Sequence, residues 1–323
     1  MKIITEESLD LAAECLKNGG LVAFPTETVY GLGANALDPL AVAKIFEAKE
    51  RPTFDPLIVH IASLSQLDDL YAQPIHPLVL ELANRFWPGP LTIVYSKSAL
   101  VPGLVTSDLD SVAVRMPSHP LAQKLLQLAG VPVAAPSANK FGQLSPTSYK
   151  HVEKQNMPID FILAGDDSKN TVGIESTVVS VDDGICTILR PGVITAADLQ
   201  NAIPGLKVNV PGKNIKLISP GLLKSHYSPL KPLYFLPKEV AELPEKSGLI
   251  LHSKKKEITT TQKVIYTSET HNLLEIAANL FASLHKMEED EGVKQIFIEA
   301  VEEKGIGIAI MDRLRKATYQ YNV

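Results

Sequence analysis

Leu21-Val22-Ala23-Phe24-Pro25-Thr26-Glu27-Thr28-Val29-Tyr30-Gly31-Leu32-Gly33 passes from four apolar residues into two hydroxyls, a carboxylate, a phenol and two glycines. A buried strand that ends in such a cluster delivers polar groups to the rim of a sheet, where small ligands bind in open α/β folds. The same run suits an ordinary strand-to-loop turn, with Gly31 and Gly33 supplying unusual backbone angles and the hydroxyls capping their neighbours. Its composition leaves both readings open, and the rest of the chain has to decide.

On its N-terminal side, residues 5–18 predict a helix. Leu9, Ala12, Ala13 and Leu16 recur at helical spacing, Glu6 and Glu7 suit the first turn, and Gly19-Gly20 ends it. On its C-terminal side, Asp38-Pro39 reads as N-cap and first position of a helix through residue 48. Strands are expected at 57–61, 91–95, 112–115 and 131–135, with helices near 77–86 and 121–128. Trp87-Pro88-Gly89-Pro90 stops the first of those helices, because proline cannot continue one. Asp182-Asp183-Gly184 between apolar segments 177–181 and 186–189 is a hairpin signal. Together these segments predict a twisted mixed α/β domain over residues 1–207.

Residues 208–232 change character. Pro211-Gly212-Lys213, Ser219-Pro220-Gly221, Pro229 and Pro232 leave no room for a regular element, so a linker or covering lid is expected. Beyond it, strands at 247–252, 263–266 and 295–299 alternate with helices at 273–286 and 308–316. That alternation predicts a smaller parallel, Rossmann-like α/β domain over 233–323. Lys254-Lys255-Lys256 reads as a solvated turn.

A chain of 323 residues suits two domains, and 45% hydrophobic with 21% charged residues predicts a packed core. Its formal charge of −5 gives no global basic footprint, so any polyanion must meet a local patch. Cys15 and Cys186 stand far apart with no C-x-x-C spacing, which argues against a cysteine zinc site or a disulfide framework. Two incidental thiols fit a cytoplasmic protein. No apolar stretch approaches the ~20 residues a membrane span needs, and no membrane partner is expected.

Chemistry-bearing residues gather at the ends of the predicted strands. Lys49 and Arg51, in a proline-restrained loop before His60, can converge on an anion, the guanidinium as a fork and the ammonium as a point charge. A solvated basic loop is the other reading. His60, between Val59 and Ile61, also fits a core histidine satisfied by backbone. Arg115 ends the apolar strand that Ser111 begins, and a buried arginine needs an anionic partner, either a ligand or a structural carboxylate. Ala134-Ala135-Pro136-Ser137-Ala138-Asn139 allows close backbone approach, while Ser137, Asn139 and nearby Ser145 offer donors. Ser176-Thr177 and Arg190 add hydroxyls and another arginine. There is no G-x-S-x-G elbow, no P-loop and no paired metal-binding histidine motif, so no metal is assigned to protein ligands. A pocket of this composition suits an anionic, multi-phosphate ligand together with a small carboxylate compound, handled by positioning and charge stabilisation.

In order and spacing these pieces resemble the threonylcarbamoyl-AMP synthase (YrdC/Sua5) family. The matching segments are 25–33, Lys49-x-Arg51-Pro52, Pro56-Leu57-Ile58-Val59-His60, Trp87-Pro88-Gly89-Pro90-Leu91-Thr92, Val114-Arg115-Met116-Pro117, Pro136-Ser137-Ala138-Asn139, Ser176-Thr177 and Arg190-Pro191-Gly192. Ser219-Pro220-Gly221, His226-Tyr227 and residues 305–316 look like the long type, with its additional C-terminal domain. The resemblance implies a YrdC-like fold and a nucleotidyltransferase. L-threonine, bicarbonate or CO2 and ATP would give threonylcarbamoyl-AMP and pyrophosphate, for N6-threonylcarbamoyl modification of tRNA adenosine 37. It places Thr28, His60, Arg115, Ala135 and Ser176 around threonine. Arg51, Asp55, Ser111, Ser137, Asn139, Ser145, Arg190 and Tyr227 would hold ATP. Lys49 and Arg51 would offset charge on the departing pyrophosphate, Mg2+ is expected with ATP, and tRNA or the transfer machinery is the implied downstream partner.

The rival readings are a double-stranded RNA-binding module without ATP turnover, the carbamoyl-adenylate chemistry of hydrogenase maturation proteins, and a structural assembly factor. Acidic charge argues against the first. The lack of paired-cysteine zinc motifs argues against the second.

Overall fold

A computed structural model describes residues 1–166, 171–210, 226–237, 243–254 and 263–321. Its architecture is mixed α/β, with one large mixed sheet and a separate small parallel sheet. Pro211-Gly212-Lys213, Ser219-Pro220-Gly221 and Lys255-Lys256 lie outside the described residues.

Across the large sheet the strands run Lys2–Ile4, Phe161–Leu163, Val22–Phe24, Gly31–Asn35, Val133–Ala134, Ile58–His60, Ser111–Arg115, Leu91–Ser96, Thr177–Asp182, Ile185–Arg190, Val208–Asn209. The opening run is therefore a hairpin. Val22–Phe24 and Gly31–Asn35 pair antiparallel, and residues 25–30 connect them. Reading the glycines as turn residues missed this second strand. Gly33 is there because the strand crosses Phe24 and Val133 closely: an added Cβ would sit 2.7 Å from Val133 Cγ1 and 2.8 Å from Phe24 Cε1.

Local chemistry sets several boundaries as expected. Asp38 Oδ1 accepts from Leu40 N at 2.9 Å with Pro39 at the first position of the helix Pro39–Lys49. Glu50, in the left-handed region at φ 53°, ends that helix and turns Arg51 back into the fold. Asp183 (φ 45°) and Gly184 (φ 73°) form the two-residue turn between Thr177–Asp182 and Ile185–Arg190, the arrangement whose twist suits a hairpin. Val208–Asn209, expected as linker, instead pairs parallel with Cys186-Thr187 and closes the sheet's edge.

In the small sheet, Leu233–Phe235, Gln295–Ile298, Ser247–Leu251 and Lys263–Tyr266 lie in that order, all parallel. Helices Leu273–Glu289 and Gly307–Thr318 bury Leu280, Phe281, Leu284, Ile310 and Leu314 in a core that also takes in Val29, Leu144 and Ile174 from the first domain. The two domains thus share apolar contacts beside the opening run. No helix among the described residues is long and apolar enough to cross a membrane. Burial raises the thiols of Cys186 to about 12 and Cys15 to about 11, the latter also through Asp160, so neither is activated.

Candidate functional site

Two of the polar clusters read from the sequence are laced together by backbone. Leu32 N donates to Pro136 O and Ala138 N to Tyr30 O, both at 2.8 Å, so residues 30–32 and 136–138 form one wall. Tyr30 N reaches Pro146 O at 2.8 Å and brings the Ser145 loop alongside. Behind this wall lies a cavity of about 50 Å³, lined by residues of the large-sheet domain together with His226 and Tyr227 of the segment that follows it.

Lining the cavity are Thr28, His60, Arg115, Ala135 and Ser176, every residue expected around threonine. Parallel pairing of Ile58–His60 with Ser111–Arg115 puts His60 directly beside Arg115. Arg115 Nη1 donates to Thr28 Oγ1 at 3.0 Å, and Nε to Gly89 O at 3.3 Å. Its anionic partner is Glu27, whose Oε1 lies 2.6 Å from Nη2 with both side chains almost fully buried. The other Glu27 oxygen accepts from Ser118 N at 3.1 Å. Glu27 was missed as a site residue, although it stands in the opening run. The Arg115 Nη2 and Glu27 Oε1 atoms are close but not aligned as a hydrogen bond, so charge holds this pair. His60 sits edge-on to Phe24 with Nδ1 3.2 Å from Ile58 O. Burial, reinforced by the Arg115 charge, lowers its pKa to about 3, so the imidazole is neutral at physiological pH.

The same cavity is lined by Arg51, Ser137, Arg190, Glu175, His226 and Tyr227. Arg51 donates through Nη2 to Pro56 O at 3.1 Å and pairs with Asp55 Oδ2 at 2.8 Å. Arg190 donates through Nη2 to Ser176 O at 3.0 Å and Ser176 Oγ at 3.1 Å. Tyr227, itself at φ 63°, is buried against Phe281 and His226, and its hydroxyl has no hydrogen-bond partner among the described residues. Burial and then nearby Arg51 and Lys49 push the His226 imidazole well below its ordinary value, so it too is neutral.

Five of the expected residues do not reach the cavity wall. Lys49 is fully buried, and its Nζ donates to the carbonyls of Ser137 and Asn139. Burial first, and then Arg51, drives its pKa well below the usual lysine range. It braces the cavity wall from behind. Asn139 Nδ2 is spent on Lys140 O and Gln143 O at 2.8 and 3.0 Å. Ser145 Oγ donates to Glu175 Oε1 at 2.6 Å. Asp55 stands behind Arg51, its carboxyl raised by burial against the opposing pull of Arg51. Ser111 begins the strand whose other end holds Arg115, and pairs with Ser96 away from the cavity.

Four arginines (51, 115, 190 and 313) and three carboxylates (Glu27, Asp55 and Glu175) are buried around this space, so the described charged groups favour anions. The three carboxylates are committed to Arg115, Arg51 and Arg313 respectively. Among the described residues, each carboxylate around the cavity is thus paired with an arginine, so Mg2+ arriving with ATP would find its ligands chiefly in phosphate oxygens and water. Away from the cavity, His151, His285 and Glu289 come within 4.8 Å of one another. The two imidazoles stack face to face at 3.8 Å and 16°. In-plane lone pairs of parallel rings do not converge on one ion, so this is an interdomain stack rather than a preformed metal centre.

The chain was compared with known proteins. Residues 14–192 match a family model described as telomere recombination, and residues 194–318 match one described as threonylcarbamoyl-AMP synthase, C-terminal domain. A protein from Pyrococcus abyssi named threonylcarbamoyl-AMP synthase is 42% identical, covering 98% of this chain and 95% of its own. One of the same name from Bacillus subtilis is 41% identical over 95% of this chain and 91% of its own. The crystal structure of P. abyssi Sua5 complexed with L-threonine superposes with a TM-score of 0.87 at 41% identity, covering 99% of this chain and 98% of that one.

Proposed function

Given that this chain belongs to the threonylcarbamoyl-AMP synthase family and carries both of its domains, we propose that it joins L-threonine, bicarbonate or CO2 and ATP into threonylcarbamoyl-AMP, releasing pyrophosphate. The observation that carries the site assignment is convergence. Thr28, His60, Arg115, Ala135 and Ser176, scattered over the sequence, line a single cavity together with Arg51, Ser137 and Arg190.

Threonine's carboxylate would meet Arg115, whose charge Glu27 already balances and whose fork Thr28 orients. The neutral His60 adds no competing charge there. The threonine amine attacks CO2, or the carbon of bicarbonate, to form the carbamate, with loss of a proton in the first case and of water in the second. A carbamate oxygen then attacks the α-phosphorus of ATP, and the bond to the bridging oxygen of pyrophosphate breaks. Arg51 and Arg190, both on the wall, would offset the charge that builds on the leaving group. Lys49, held by two carbonyls, supports this indirectly by fixing the Ser137 wall. Mg2+ would screen the phosphates when bound with ATP. The product is an acyl-adenylate suited to acylating a tRNA adenosine, and tRNA or the transfer machinery is the proposed consumer.

Pyrophosphate release from ATP, measured with and without threonine and bicarbonate, tests the reading. Release that depends on both is expected, and threonine-independent release overturns it.

A further inference from the structure

The described core contains one arginine that the reaction does not use. Arg313, on the helix Gly307–Thr318 of the second domain, has no exposed side-chain surface and does not line the cavity. A buried guanidinium is costly unless its donors are met, and here they cross the domain boundary. Nε pairs with Glu175 Oε2 at 3.1 Å and Nη2 donates to Glu175 O at 3.3 Å. Nη1 donates to the carbonyl of Pro191 and to Asp312 Oδ2. The guanidinium also lies 5.8 Å from the centre of the Tyr227 ring.

Each first-domain acceptor sits next to a cavity residue. Glu175 precedes Ser176, and its other carboxylate oxygen takes the Ser145 hydroxyl. Pro191 follows Arg190. A single side chain of the second domain thus grips two segments of the first, those of Ser176 and Arg190, and through Glu175 reaches a third, that of Ser145. We propose that Arg313 is a positioning residue for adenylation, setting these segments in register around Glu175.

Both its fork and its charge are needed. A lysine reaches one of the acceptors and leaves the others unmet. Methionine keeps much of the volume but strands Glu175. Burial raises that carboxyl, and Arg313 is the largest of the opposing influences that hold it below its usual range. Without Arg313, the largest influence opposing burial at Glu175 is gone, and the hydroxyl–carboxylate contact with Ser145 loses its brace.

The inference rests on the proposed synthase activity, so wild-type, threonine-dependent pyrophosphate release is measured first. Its absence removes the reading of function itself. Given that activity, R313K and R313M should each lower kcat/KM for ATP by roughly 100-fold, the scale expected when one partner of a buried pair is removed. Relative to wild type measured at the same pH, R313M should lose activity progressively as pH is lowered. R313M/E175Q, with neither charge, should lose that pH dependence. Melting curves establish that each variant is folded, and R313K carries the test if R313M is not. Rates within threefold of wild type in folded R313K overturn the proposal. So does an R313M loss that matches its unfolded fraction with an unchanged pH profile.

Discussion

Arg115 and Arg51 do different work at the residue scale. Arg115 is neutralised by Glu27 before any ligand arrives, so its contribution is a shaped, charge-balanced receptor. Replacing it with alanine strands Glu27 and should raise the threonine Kd by about 100-fold or more, which calorimetry with threonine alone will show. Glu27→Gln leaves Arg115 without its counterion, so it should destabilise the protein while threonine affinity holds or tightens. Arg51, by contrast, is assigned to the phosphates, and Arg51→Ala should cut pyrophosphate release roughly 100-fold with threonine affinity little changed. Gly33 tests the wall. Gly33→Ala forces Val133 and Phe24 apart and should destabilise the protein by about 1–3 kcal/mol in urea titrations. The threonine-side residues were legible because each stands in a short, distinctive segment. Glu27 and Glu175 stood in the same segments and were passed over, since a carboxylate next to hydroxyls reads as a cap until its arginine partner is located in space. Arg313 was harder still. It belongs to the charged run Asp312-Arg313-Leu314-Arg315-Lys316, and only its helical phase with Ile310 and Ala317, both buried, separates it from the solvated face.

The elements themselves followed from periodicity and punctuation wherever they were long. Asp38-Pro39, Trp87-Pro88 and Asp183-Gly184 each acted locally, as caps, stops and turns do. Lys2–Ile4, Gly31–Asn35, Phe161–Leu163 and Val208–Asn209 escaped the reading because strands of two to five residues owe their existence to partners far along the chain. Where elements of the two domains meet, the His151–His285 stack supplies a pH dependence. Lys154 and Glu289 pair at its edge and Lys286 stands nearby, while His285 contacts Ser145 O at 3.1 Å. Burial is the main cause that lowers His285 to about 3 and His151 to about 4, from an ordinary 6.5. Between those values the unfolded chain binds protons that the folded one refuses, so stability rises with pH. It should be fully present above about 6.5, fall as pH drops through 4 and level off below about 3. Melting temperatures across that range should show the fall, and His285→Gln should flatten it. A slope unchanged by that substitution would assign the effect to other groups.

At the scale of the molecule, the reaction site belongs to both domains. The large sheet is complete at Val208–Asn209, and the cavity walls built from the opening run and residues 136–138 lie wholly within it. Yet His226 and Tyr227 lie over that cavity, Arg313 grips its loops, and Val29, Leu144 and Ile174 bury their side chains against the second domain. His226 and Tyr227 line the cavity, so movement of that segment would change the cavity's access to solvent. A chain ending at residue 210 keeps every strand of the large sheet but exposes those apolar residues and leaves Glu175 without its cation. Circular dichroism should show a folded α/β domain with a lower melting temperature. Threonine-dependent pyrophosphate release should fall at least about 100-fold. Tyr227→Ala in the full chain should separate the two contributions, because it opens the cavity while leaving Arg313 on its carbonyls. It should therefore bind threonine readily but let water reach the labile adenylate, and appear as AMP formation outrunning product. If the 210-residue chain turned over at the wild-type rate, the second domain would stand outside the chemistry. Its grip on the loops would then be a matter of stability alone.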